Sequence, residues 1–270
     1  MNQQEEQLKQ LVREKYAQIA TQSKTQNETS ACGCGSCGDS TIDYSIMADD
    51  YSNLQGYEAA ADLGLGCGLP TEFAHIKAGD TVVDLGSGAG NDCFVARALT
   101  GAEGKVIGID MTEKMIELAR QNAQKLGFEN VFFHLGDIDA MPLEAAIADV
   151  VVSNCVLNLV PNKTKVLSET YRILKKGGHF SISDIVLEGE LPNGLQKEAE
   201  MYAGCVSGAI QKSDYLRIIA ETGFQNISIQ KEKVIQLPDA LLSQFLDKEA
   251  LAAFKSSSMG IYSITVYAEK

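Results

Sequence analysis

The stretch TVVDLGSGAG at residues 81–90, running directly into NDCFVARALT, constrains the fold of this chain more than any other. Thr81, Val82, Val83 and Leu85, with Asp84 among them, read as a short buried strand that runs into a glycine turn. Gly86, Gly88 and Gly90 then allow a tight turn and a close approach of ligand to backbone, and the next ten residues read as a helix. Glycine spacing alone is a weak signal, because dinucleotide folds carry a G-x-G-x-x-G relative of it. Here the third glycine comes early and an acid precedes the first.

The strand–helix unit then repeats along the chain. KVIGID reads as a second strand, MTEKMIELARQNAQKLG as a helix with Gly127 at its C-terminal cap, VFFHLGD as a third strand and ADVVVSN as a fourth. A helix at 161–175 ending in KKGG precedes a fifth strand, HFSISDIVL. Strand and helix alternating on this period predict an α/β chain, with a parallel sheet covered by helices on both faces. FQNISIQKEKVIQL and GIYSITVYAEK add two strands without a full crossover helix between them, although DALLSQFLDKEALAAFKSS is helical in pattern. The expected architecture is a Rossmann-like, seven-stranded, mostly parallel sheet. Ahead of it, residues 3–22 place Leu8, Leu11, Val12, Tyr16 and Ile19 at helical spacing, and a polar linker, the segment ACGCGSCGDS and a lid to about residue 77 come next. Residues 190–222 read as a helical insertion after strand five. Three parts result: 1–77 (N-terminal helix, cysteine-glycine segment and lid), 78–188 (the nucleotide-binding core) and 189–270 (insertion, cap elements and closing strands).

The form of DLGSGAG, with Asp84, Gly86, Ser87, Gly88 and Gly90, resembles motif I of the class I S-adenosylmethionine methyltransferases. Further acids stand where such a cofactor needs them. Asp110 ends strand two, 20 residues after Gly90, where a carboxylate accepts both ribose hydroxyls. Asp137 comes after strand three, placed for the adenine amino group, with Met111 and Ile138 flanking the ring. Asn154 closes strand four near the methionine end. All lie at carboxyl ends of successive strands, the edge where open α/β sheets bind ligands. Formal charge is −13, from 23 Lys and Arg against 36 Asp and Glu, and no basic stripe relieves it. That excludes a nucleic-acid substrate and favours a small one. No apolar run is long enough to span a membrane, and MNQQEEQLKQ lacks a signal-peptide layout, so a cytoplasmic protein is expected.

Seven cysteines, at 32, 34, 37, 67, 93, 155 and 205, do not read as a disulfide framework in a reducing compartment. Cys67 lies in the lid, Cys155 directly after strand four and Cys205 in the insertion after strand five. In this topology all three segments cover the same sheet edge. Each alone reads as a small buried hydrophobe. Together they offer three soft thiolates without a fourth ligand to close a zinc tetrahedron, which suits a soft metal or metalloid. Cys93, beside Phe94 and Val95, reads as packing. The C-x-C-x-x-C of Cys32, Cys34 and Cys37 has no nearby histidine and makes a weak metal site. His134 reads as packed or surface, and His75 and His179 have no evident partner.

DLGSGAGNDCFVA, GIDMTEKMIELAR and SNCVLNLVPNKTKVLSETYRILKKGG with the SDI after it closely resemble the arsenite methyltransferase family, as do GLGCGLP, GCVSGA and the helix VREKYAQIA. The resemblance covers roughly residues 10–225. It implies S-adenosyl-L-methionine as methyl donor and As(III) held by Cys67, Cys155 and Cys205. It also implies a thiol reductant, glutathione or thioredoxin, and a further N-terminal cysteine, Cys32 first because it follows the helix and linker, with Cys34 or Cys37 as alternatives. Larger members carry a C-terminal extension with a vicinal cysteine pair, whereas this sequence has no cysteine after 205. Two other functions share the cofactor motifs: carbon methylation of a quinone-type acceptor, and non-catalytic metalloid binding. The expected partners are small molecules, not nucleic acid or membrane, and a monomer is expected.

Overall fold

The computed structural model describes residues 3–22, 24, 27, 49–190, 208–236, 239–243, 246–257 and 260–270. Strand β1 (Thr81–Leu85) sits mid-sheet, paired in parallel with β2 (Lys105–Asp110) on one side and β4 (Ala148–Asn154) on the other. Both faces of such a strand are covered, so its residues are apolar in succession rather than in alternation. Val82 packs with Phe94 and Met115 under α2 (Asn91–Thr100) and α3 (Glu113–Lys125). Val83 and Leu85 pack on the other face with Leu167, Tyr215 and Ile219 of α4 (Lys163–Ile173) and α5 (Lys212–Thr222). The outer strand β3 (Val131–Leu135) and the long β5 (Leu174–Glu188) complete the parallel part.

The last two strands are β6 (Gln225–Val234) and β7 (Gly260–Glu269), with α6 (Asp239–Leu242) and α7 (Lys248–Ser256) between them. The sheet order is β3-β2-β1-β4-β5-β7-β6, and β7 runs antiparallel to both of its neighbours. A seven-stranded, mostly parallel, Rossmann-like sheet is what the alternating pattern predicts. No described helix is long and apolar enough to cross a membrane.

Two local expectations need correction. The helix expected to reach residue 175 stops at Ile173, and KKGG belongs to β5. Pairing jumps there from Ala148 with Leu174 to Val150 with His179, a bulge eased by Gly177 at φ +78°. The second concerns α1 (Gln3–Ile19). Leu11, expected on its apolar face, is 42% exposed, whereas Lys9 is 4% exposed and shares the buried face with Val12 and Tyr16. Positions 9, 12 and 16 form one stripe at helical spacing, and a lysine in such a stripe is hidden from any reading of hydrophobicity alone.

Candidate active site

The carboxyl ends of β1 to β4 open into one crevice, walled on its far side by α1 and by the segment from Tyr51 to Gly66. Its floor is the glycine turn after β1. Gly86 and Ser87 donate their N–H groups to the Ile109 carbonyl (2.8 and 3.0 Å), which hangs the turn on β2. Gly88 adopts φ +50°, and a Cβ there would meet nothing within 4 Å, so its bare face is presented to a ligand. Asp110 accepts from Gly88 N (3.0 Å) on one carboxylate oxygen and from Thr112 N (2.8 Å) on the other. Burial pushes its carboxyl above the ordinary range against those two donors. The Thr112 hydroxyl is a third donor to the same carboxylate. Met111, Asp137, Ile138, Ser87 and Asn154 also line the crevice. Gly90 does not: a Cβ there would lie 2.8 Å from the Phe94 ring and 3.0 Å from Phe133, so it lets α2 pack on the sheet.

One end of the crevice holds an uncompensated pair of acids. Asp84 on β1 and Asp92 in the first turn of α2 are both buried, and among the described residues neither makes an ion pair. Burial raises the Asp84 carboxyl well above its usual value, with Asp92 adding to the shift. Burial likewise lifts Asp92 to about 6, while hydrogen bonds from Tyr51 and Asn154 pull it down. The Tyr51 hydroxyl stands 2.9 and 3.0 Å from the two Asp92 oxygens. Cys93 donates its thiol to Asp84 at 3.2 Å, and burial keeps that thiol protonated. A buried pair of acids with no cation beside it among the described residues suits a cationic ligand, which would favour the charged form. Two buried side-chain oxygens lining the same crevice, Ser87 Oγ and Asn91 Oδ1, have no hydrogen-bond partner among the described residues.

Asn154 links that end to the cysteines. Its Oδ1 accepts from Cys67 N (2.9 Å) and Gly68 N (3.3 Å), and its Nδ2 donates to the Gly68 carbonyl (2.8 Å) and the Tyr51 hydroxyl (2.5 Å). The amide at the end of β4 thus grips the loop that carries Cys67. Cys155, the next residue, turns away from the strand at φ +62° and lines the crevice. Its N–H donates to the Ser183 carbonyl (2.8 Å). Cys67 and Cys155 are both buried and fall in one cluster with Val12, Leu159 and Ile185. Tyr215 lies close enough for both sulfurs to raise its hydroxyl, after the larger effects of burial and of Asp184. Cys205, Cys32, Cys34 and Cys37 lie outside the described residues.

The loop leaves no room for a side chain at Gly66, whose Cβ would sit 2.5 Å from Asn154 Nδ2. Gly66→Ala is therefore expected to lose about 1–3 kcal/mol of stability by overpacking, read as a fall of several degrees in melting temperature by scanning calorimetry.

Tyr51, Asp92 and Lys9 are not among the residues the sequence singles out. Asp92 has a signal, an acid in the first turn after the glycine motif, but Tyr51 is 41 residues from its partner and has none. None of the three histidines lines the crevice. His134 is exposed on an edge strand. His179 Nε2 lies 2.6 Å from the Ala74 carbonyl, and the rings of His75 and His179 both contact Tyr267.

A ligand crevice at the point where the strand order reverses, in a sheet closed by one antiparallel strand, defines the class I methyltransferase fold. A family model for a methyltransferase domain matches residues 76–244. An arsenite methyltransferase from Halobacterium salinarum is 42% identical over 240 residues, covering 83% of this chain and 59% of its own. The arsenite methyltransferase from Homo sapiens is 40% identical over 169 residues, 59% of this chain and 44% of that one. Among solved structures, an arsenic(III) S-adenosylmethionine methyltransferase from Chlamydomonas reinhardtii superposes with a TM-score of 0.65 at 35% identity, covering 76% of this chain and 67% of that one. The chain belongs to the arsenite methyltransferase family. It spans a little over half the length of the Halobacterium relative.

Proposed function

We propose that this protein methylates As(III), with S-adenosyl-L-methionine as methyl donor. The observation that carries the proposal is that Cys67 and Cys155, from distant segments, are buried in one cluster, and Cys155 lines the same crevice as Asp84 and Asp92. The names of its relatives agree with it. The residues present suit the donor: an acidic couple without an ion pair among the described residues for a cationic methionine end, a bare Gly88 face, and two buried side-chain oxygens without a partner among those residues. When bound, S-adenosylmethionine supplies an electrophilic methyl group on a sulfonium. Asp110 accepts the ribose hydroxyls, and Asp137 accepts from the adenine amino group, with Met111 and Ile138 against the ring. The backbone of Gly86, Ser87 and Gly88 receives the rest, and Gly90 sets the helix α2 on the sheet.

The thiols of Cys67, Cys155 and Cys205 exchange for the three hydroxyls of arsenite, each thiol proton leaving with a hydroxyl as water. Arsenic so held keeps its lone pair as nucleophile, and no general base is required. Positioning then supplies the acceleration. A thiol reductant, glutathione or thioredoxin, returns the oxidised product to As(III), with Cys32 (or Cys34 or Cys37) taking part. The protein is proposed to act in the cytoplasm as a monomer on small molecules, without nucleic acid.

Purified protein with methyl-labelled S-adenosylmethionine, arsenite and glutathione is expected to yield methylated arsenic, resolved by chromatography. Absence of both methylarsenic product and arsenite binding would overturn the proposal and leave carbon methylation of a quinone-type acceptor in front. Arsenite binding without product would leave a metalloid binder.

A further inference from the structure

A lysine as buried as Lys9 is rare unless paired. Its ammonium is 3.0 Å from Asp139 Oδ2 and 3.6 Å from Asp137 Oδ2, and all three residues line the cofactor crevice. Asp139 has a second cation, Lys165 from α4, at 3.5 Å. Asp137 has only Lys9 among the described residues, and its side chain is 34% exposed. Without Lys9, two carboxylates two residues apart would repel each other across the nucleobase end of the crevice. With it, one oxygen of Asp137 is drawn toward α1 while the other remains free to accept a hydrogen bond. Val12 and Tyr16 fix the helix that delivers the ammonium by packing on the same face of α1.

We propose that Lys9 is a positioning residue for nucleobase selection: it aims the Asp137 carboxylate at the exocyclic amino group of adenine. The inference rests on the reading of Asp137 as the adenine acceptor. It adds that discrimination between an amino and an oxo group on the purine is set from the N-terminal helix. An oxo group facing the aimed carboxylate meets acceptor with acceptor, which is the basis of rejection.

The test compares S-adenosylhomocysteine with S-inosylhomocysteine, which carries oxygen in place of that amino group, by titration calorimetry on the full chain. The unsubstituted protein is expected to prefer the adenine ligand by at least ~10-fold. Lys9→Met is expected to shrink that preference by about tenfold, through weaker binding of the adenine ligand with little change for the inosine one. Lys9→Arg and Asp139→Asn, which keep a cation beside Asp137, are expected to retain it. A purely structural lysine would weaken both ligands equally in Lys9→Met, and an unchanged ratio overturns the proposal while leaving the cofactor reading intact. Failure of the unsubstituted protein to bind either ligand overturns both.

Discussion

Cys155→Ser is expected to abolish arsenite methylation, slowing turnover by at least ~100-fold while S-adenosylmethionine affinity stays within about twofold. The substitution keeps the shape of the residue and its β-carbon, so the backbone at φ +62° is no more strained than before. It replaces a soft sulfur with a hard oxygen, which holds As(III) far less well. Cys155 lines the crevice, so the new hydroxyl has room for water. Cys67, fully buried, offers a less clean test, because its serine would bury a hydroxyl at a cost of about 1–3 kcal/mol. Cys205→Ser is expected to match Cys155→Ser. Single-turnover assays with arsenite, alongside calorimetric titration of the cofactor, separate the two effects. Undiminished turnover in Cys155→Ser would remove the thiolate site from the mechanism.

Asp92→Asn is expected to act in opposite directions on stability and on binding. The folded carboxyl titrates at about 6 against an ordinary 3.8, raised first by burial. A raised value means that the folded state holds the proton more tightly. Its contribution to stability is full below pH ~4 and is lost as pH rises through about 6. The ligand-free protein at pH 7 therefore carries an unneutralised acid, and the amide removes it. A shift of about two units corresponds to roughly 3 kcal/mol, so a gain of several degrees in melting temperature is expected at pH 7, fading below pH 4. Cofactor binding runs the other way. Only the ionised acid attracts a cation, so affinity in the unsubstituted protein should rise as pH passes 6. In Asp92→Asn it should be weaker by about tenfold or more and flat over that range. Scanning calorimetry and titration between pH 4.5 and 8 measure both, and a variant that binds as tightly as the parent would separate Asp92 from the ligand. Asp184, lifted to about 7 by burial and buried beside Tyr215, adds a second loss of stability with rising pH.

The fold is legible in the sequence because its signals are local. Largely apolar runs ending at Leu85, Asp110 and Asn154 announce strands, and the glycine turn announces the ligand edge. The crevice is legible in part for the same reason, since strand ends in a parallel sheet converge by topology. What stays hidden depends on contacts between segments far apart. Lys9 reads as a solvated charge until α1 is docked, Tyr51 acquires a role only through Asp92, and Asn154 gives no sign that its amide grips the Cys67 loop. The strand start at Leu174 is masked because KKGG looks like a helix terminator, and only pairing with β4 makes it a bulge.

Strand β7 has a consequence for how the molecule is made. It occupies the place between β5 and β6, so β6 has no partner in the sheet until β7 arrives. Ser263 of β7 donates to the Cys67 carbonyl at 2.6 Å, and Gly68 rests against Ser183 and Thr265. Translation therefore delivers Cys67 long before the strand that supports it. A nascent chain meets the cell with thiols that are scattered, accessible and free to be bridged in wrong pairs by the very metalloid the finished protein is proposed to handle. On that proposal the protein is most open to arsenic while it is still being synthesised, and arsenic stress is expected to reduce the yield of new protein before it harms the molecules already folded.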